Sequence, residues 1–70
     1  MNKEKIGARL RELRGDKSIR SVAKDLNLAP STITMYENGD RIPKDDIKIS
    51  IAKYYGQTVE SIFYNAFDHV

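Results

Sequence analysis

Apolar residues recur along nearly the whole chain at the spacing of one helix face. Ile6, Leu10 and Leu13 stand at i, i+4 and i+7, which predicts a first helix from about Lys3 to Arg14 with Arg9, Arg11 and Glu12 facing water. Gly15-Asp16 ends it. Ser18 is placed to cap a second helix reaching about Leu26, its hydroxyl accepting from an unpaired N–H of the first turn. Pro30 suits the first turn of a third helix, where its missing N–H is not needed. Gly39 is the expected C-cap of that helix, and Gly39-Asp40 opens a loop closed by Pro43. A fourth helix is predicted from about Lys44 to Tyr55, with Asp45 and Asp46 favoured by the dipole in its first turn, an inner face of Ile47, Ile51 and Tyr55, and Gly56 as its stop. Thr58 can cap a last helix whose inner face is Val59, Ile62, Phe63 and Ala66. The expectation is an all-α, compact five-helix fold in a single domain over 1–70, with a short C-terminal tail at 65–70 and no linker or repeat.

Between Ser18 and Asn38 the pattern is more specific. Val22, Leu26, Leu28, Ile33 and Tyr36 are apolar, and Ala23 is small where two steeply crossing helices must touch. Asn27 falls where the chain must turn sharply. Such a turn usually needs a left-handed residue, and after Gly it is Asn that tolerates positive φ best. One amphipathic helix would not need all of these together; two short helices joined by a tight turn would.

Length narrows the function classes. Seventy residues leave room for one small core that buries about 60% of the surface its unfolded chain exposes, which disfavours a walled catalytic cleft. One His, no Cys and scattered carboxylates supply no nucleophile, base and orienting group, so neither an enzyme nor a cofactor is expected. Without Cys there is no disulfide framework or thiolate metal site, and His69, beside the C-terminus with no companion ligand, reads as a solvated tail residue. The apolar runs are short, and Met1-Asn2-Lys3-Glu4-Lys5 leads into a charged helix rather than a signal core, so the expected location is cytoplasmic and away from membrane. Net charge is only +2, yet residues 1–44 hold ten Lys or Arg against six Asp or Glu, while residues 45–70 hold two against four. The basic part contains the two-helix motif, as suits a module that lays one half on a polyanion.

These residues resemble the Cro and phage-repressor type of helix-turn-helix domain, the XRE family, over about residues 6 to 63. The resemblance rests on the apolar pattern, Leu13-Arg14 closing the first helix, Ser18 before the second, Val22-Ala23 within it, Ile33 through Tyr36-Glu37-Asn38-Gly39, Pro43, the Ile51-Ala52 pair and the short last helix. It implies a lambda-repressor-like fold with the helix-turn-helix at helices 2 and 3, about 18–38. The third helix would enter the major groove of double-stranded DNA. Ile19 stands where the family commonly has a Gln, Asn27 where it has the turn Gly, and Ala29 where it has a Ser cap. The connection Gly15-Asp16-Lys17 is also short.

With Ile33 and Tyr36 inward, Ser31, Thr32, Thr34 and Met35 face outward as the candidate base readers. Hydroxyls can donate to or accept from either base type, and Met35, with no core to fill on that face, can lie against thymine methyls. The set lacks the Arg, Lys or Gln that makes bidentate base contacts, so readout should lean on DNA shape and A·T-rich sequence. Candidate phosphate contacts are Lys17, Ser18 and Arg20 at the start of the second helix, and Asn38, Arg41 and Lys44 past the third. Lys24 is a further basic position near the motif.

The family resemblance pairs Arg14 with Glu37 as a structural salt bridge that orients the recognition helix. Phe63, Phe67 and Val70 follow at i, i+4 and i+7 as a candidate dimer interface, in line with the family's use of its C-terminal region. The expected function is a sequence-specific transcriptional regulator, a repressor of phage or mobile-element type acting as a homodimer, with no small-molecule ligand evident. The alternatives are a protein-interaction module of the same fold, and an antitoxin or restriction control protein.

Overall fold

The helices start where a side chain or a proline resolves the backbone groups that a first turn leaves unpaired. In a computed structural model that describes residues 1–65, the order is α1 (Lys3–Arg14), α2 (Ile19–Leu26), α3 (Pro30–Glu37), α4 (Asp45–Tyr55) and α5 (Val59–Phe63). Asn2, Ser18 and Thr58 each accept a hydrogen bond from the backbone N–H three residues on, at 3.0 Å. Two helices begin without a side-chain cap. After Ala29, α3 starts directly on Pro30, and after Lys44, α4 places Asp45 and Asp46 in its first turn. The predicted limits hold for α1, α2 and the start of α3, while α4 begins at Asp45 with Lys44 as its N-cap, Asn38 rather than Gly39 is the C-cap of α3, and α5 ends at Phe63, before the inner face expected to reach Ala66; the Asn2 cap is an addition.

Three helices end in the same way. After α2 the Leu28 N–H reaches the Ala23 carbonyl at 2.8 Å and the Asn27 N–H reaches that of Lys24 at 3.2 Å; α3 and α4 repeat this pair of bonds around Gly39 and Gly56. The pivot residue is left-handed each time, and in the α2 turn that residue is Asn27, at φ 58° and ψ 43°. The sharp turn expected there is made by the residue expected to make it.

The core lies in two connected parts. Ile6, Leu10, Tyr36, Ile51, Ala52, Ile62 and Phe63 form the larger one, and Val22, Ala23 and Ile33 form a smaller one between α2 and α3. Leu26, Leu28 and Tyr55 touch both, so the two-helix unit shares its inner face with the rest of the bundle. Against this core α1 approaches α3 very closely at Gly7. A Cβ built there would fall 2.3 Å from the Glu37 carbonyl oxygen and 2.9 Å from that of Tyr36, so only glycine permits the crossing. One turn further along, a Cβ built on Gly39 would fall 3.2 Å from the backbone of Lys3 and Glu4, a tight fit rather than a clash.

Three expectations change, and one unassigned residue takes a place in the core. Arg9, read as facing water, donates through Nη1 to the Ile62 carbonyl and ties α1 to α5. Lys48, to which the helical pattern assigned no role, is only 5% exposed. Its ammonium donates to the Tyr64 hydroxyl at 2.8 Å, pairs with Asp45 at 3.6 Å, and lies over the rings of Phe63 and Tyr64. Ile47 and Tyr55 are only partly buried, because α4 turns Ile51 and Ala52 fully inward instead. Phe63, assigned to a dimer stripe, is 1% exposed and spent within the protomer's own core, because α5 is too short to offer two separate apolar faces. Ala66, Phe67, His69 and Val70 lie outside the described residues.

Candidate nucleic-acid interface

Ser18, the α2 helix, the Asn27 turn and α3 pack as one unit. Val22 and Ala23 on α2 meet Ile33 on α3, while Leu26 and Leu28 close the turn from below. That inner face takes Ile33, Tyr36 and Glu37, which leaves the rest of α3 turned away from the core. Ser31 is exposed, as expected. Thr32, Thr34 and Met35 are half-buried, and the Thr34 hydroxyl donates back to the Pro30 carbonyl at 3.2 Å. Met35 therefore has part of its side chain sheltered, contrary to the expectation of a methionine with nothing to cover.

The basic positions divide into those turned to solvent and those already engaged. Arg20, Arg41 and Lys44 are exposed, and Ser18 spends its hydroxyl on the α2 cap. Arg41 lies near enough to Tyr36 to oppose, by its charge, the burial that raises the pKa of that hydroxyl overall. Lys17 is different: its ammonium donates to the Tyr54 hydroxyl at 3.0 Å and sits 4.8 Å above the same ring, while that hydroxyl donates to Asp25 at 2.6 Å. The hydrogen bond to Tyr54, and then the charge of that tyrosine, push the Lys17 pKa up. This joins the α1–α2 connection to α2 and α4.

Arg14 and Glu37 meet as the family resemblance implied. Nε of Arg14 donates to Oε2 at 2.7 Å and Nη2 donates to Oε1 at 3.0 Å, a two-pronged contact in which the glutamate side chain is 3% exposed and the arginine 17%. The hydrogen bonds that Arg14 donates to Glu37 hold its pKa above the ordinary value. A third donor, Nη1, reaches the Lys17 carbonyl at 2.8 Å, so one guanidinium spans from the end of α3 to the loop that presents α2.

Arg11 was read as a surface residue, and the structure brings it to the same place. Its Nε lies 3.7 Å from Glu37 and its Nη2 donates to the Asn38 side-chain oxygen at 2.9 Å. The signal was available, since positions 11 and 14 share a helix face. Gly7 also went unremarked, as a glycine inside a helical pattern that marks a close approach. Among the described residues no group of His, Cys, Asp or Glu is arranged to hold a metal, and no helix is long and apolar enough to cross a membrane.

The site thus consists of two short helices around a left-handed turn, an outward third-helix face of small polar residues and Met35, and basic side chains at both flanks. Comparison with known proteins gave a match to the helix-turn-helix family over residues 8–62. No curated protein and no solved structure matched the chain. The family match takes in the whole α2–turn–α3 unit together with the Arg14–Glu37 bridge, Pro43 and most of the described core. The chain belongs to the Cro and phage-repressor type of helix-turn-helix family, the XRE family of DNA-binding regulators.

Proposed function

We propose that the protein is a sequence-specific transcriptional repressor of phage or mobile-element type that binds operator DNA as a homodimer with α3 in the major groove. The observation that carries this reading is the outward face of α3, where Ser31, Thr32, Thr34 and Met35 make no interhelical hydrogen bond among the described residues, on a helix whose position is fixed by Gly7 and by the Arg14–Glu37 bridge. Arg20, Arg41 and Lys44 supply phosphate contacts around it, with Ser18 and the first-turn N–H groups of α2 as a further anion site. Lys17 contributes through the position it gives the α1–α2 connection.

The base readers are short or apolar, so each half-site is read weakly and two protomers are needed for useful discrimination. Phe67 and Val70, without Phe63, are the proposed apolar contribution of the C-terminal segment to the dimer. Tyr64, 49% exposed where α5 ends, adjoins that segment. Selection of bound sequences from random duplex DNA tests the whole reading. The expected product is an A·T-rich inverted repeat with half-sites about one helical turn apart. Failure to enrich any sequence, with no duplex binding at low salt, would instead favour a protein-interaction module.

A further inference from the structure

The C-terminal end of α3 is an unusual electrostatic position. Its last turn carries no basic residue and ends in Glu37, a negative charge at the negative end of a helix dipole. Arg14 neutralises that carboxylate with two short hydrogen bonds from a nearly buried guanidinium. Arg11 is then a surplus cation. Its side chain is 58% exposed, it lies at 3.7 Å from a carboxylate that is already paired, and its one hydrogen bond among the described residues goes to Asn38.

The chemistry of that bond fixes the orientation of the asparagine. A guanidinium can only donate, so Asn38 must turn its oxygen toward Arg11, and its NH2 group then points the other way. Asn38 is exposed, and no protein acceptor meets that amide among the described residues. The two side chains therefore present mainly donors to solvent just past the recognition helix: the amide N–H groups of Asn38 and, on the adjoining side chain, the remaining N–H groups of Arg11. A donor-rich site with the positive charge of Arg11 and solvent access, next to a carboxylate already engaged by Arg14, suits an oxyanion.

We infer that Arg11 and Asn38 form a joint clamp for one DNA backbone phosphate, with Arg11 contributing the charge and setting the direction of the Asn38 amide. The clamp rests on the DNA-binding reading above and assigns Arg11 a part in it. It places a phosphate contact on α1, which the sequence pattern had left facing water. Neutralising a phosphate with one arginine releases about one counterion, so the salt dependence of binding reports it directly.

Duplex binding is measured by fluorescence anisotropy over a salt series with a mixed-sequence duplex and with a selected one. Arg11→Gln is expected to lower affinity about fivefold at physiological salt for both duplexes alike, and to flatten the slope of log K against log salt by about 0.9 per protomer. Arg11→Lys should keep the slope and recover only part of the affinity. Asn38→Asp preserves the acceptor for Arg11 but replaces the outward amide with a carboxylate oxygen. It should keep the helical fold of the parent and bind every duplex more weakly. If the parent binds and Arg11→Gln matches it in affinity and slope, the clamp is overturned and Arg11 serves only to neutralise the end of α3. If Arg11→Gln flattens the slope but Asn38→Asp binds like the parent, Arg11 acts without Asn38 and the joint site is overturned. A parent that binds no duplex even at low salt would overturn the DNA-binding reading itself, and the clamp with it.

Discussion

Removing the Glu37 carboxylate is the perturbation whose outcome the structure constrains most tightly. In Glu37→Ala the Arg14 guanidinium loses two of its three hydrogen-bond acceptors while remaining 17% exposed, and keeps only the Lys17 carbonyl. Stranding one member of a buried ion pair costs about 3 to 5 kcal/mol, and the residual bond and partial solvent access put this case near the lower figure, about 3 kcal/mol. For a domain of this length that is a fall in Tm of about 12 to 24 °C. Arg14→Leu strands the carboxylate instead, at 3% exposure, with Arg11 3.7 Å away as partial compensation, and should lose a similar amount. The double variant Arg14→Leu/Glu37→Leu leaves neither charge buried alone, so its loss should lie well below the sum of the two single losses. Urea melts of the parent, both single variants and the double variant give the coupling. Additive losses would refute the argument, because they would mean that the two side chains do not stabilise one another in the folded protein.

Other perturbations test the crossing, the partly buried Tyr55 and the recognition face. Gly7→Ala forces a Cβ into the Glu37 and Tyr36 carbonyls and should destabilise the fold by about 3 kcal/mol, the upper end for overpacking, despite the roughly 1 kcal/mol gained in helix propensity; a parent-like urea midpoint would show that α1 and α3 stand further apart. Tyr55 has its hydroxyl pKa pushed up to about 12, first by burial and then by the charges of Glu37 and Tyr54. The folded protein thus holds this proton after the unfolded chain, with an ordinary tyrosine value of 10.0, has lost it. Stability from this group is complete below the lower value and falls as pH rises toward the upper one, so Tyr55→Phe should flatten that part of an alkaline melting series. On DNA, Met35→Ala should reduce preference at thymine-containing positions and leave mixed-sequence binding unchanged, as read by competition between selected and scrambled duplexes. Equal loss on both duplexes would take Met35 out of base reading.

The helices were legible because each carries its own local signals. Ser18, Pro30, Gly39, Gly56 and Thr58 act on the backbone within one turn of themselves, and the apolar spacing needs no knowledge of the partner helix. Asn27 was legible for the same reason: left-handed φ is a property of the residue and its immediate neighbours. What stayed hidden depends on which helix faces which. Gly7 looks like a weak point in α1 until α3 is laid across it, and Lys48 looks solvated until α5 brings Tyr64 and Phe63 over its stem. Phe63 satisfied two patterns at once, an inner face and an outer stripe, and the choice between them was made by how short α5 is. In the candidate interface, the Arg14–Glu37 bridge came from the family resemblance, whereas the engagement of Lys17 by Tyr54 and of Arg11 by Asn38 required the tertiary arrangement.

The close crossing at Gly7 bears on how such a protein could change its target. There α1 meets α3 through main-chain atoms, the carbonyl oxygens of Tyr36 and Glu37, and Gly39 rests in turn on the backbone of Lys3 and Glu4. Main-chain atoms are the same whatever side chains the helix carries. Replacement of Ser31, Thr32, Thr34 or Met35 therefore leaves that seat intact, and an altered reading surface is delivered to the same place at the same angle. Divergence of target sequence can proceed one outward residue at a time, each variant inheriting the same main-chain seat for α3.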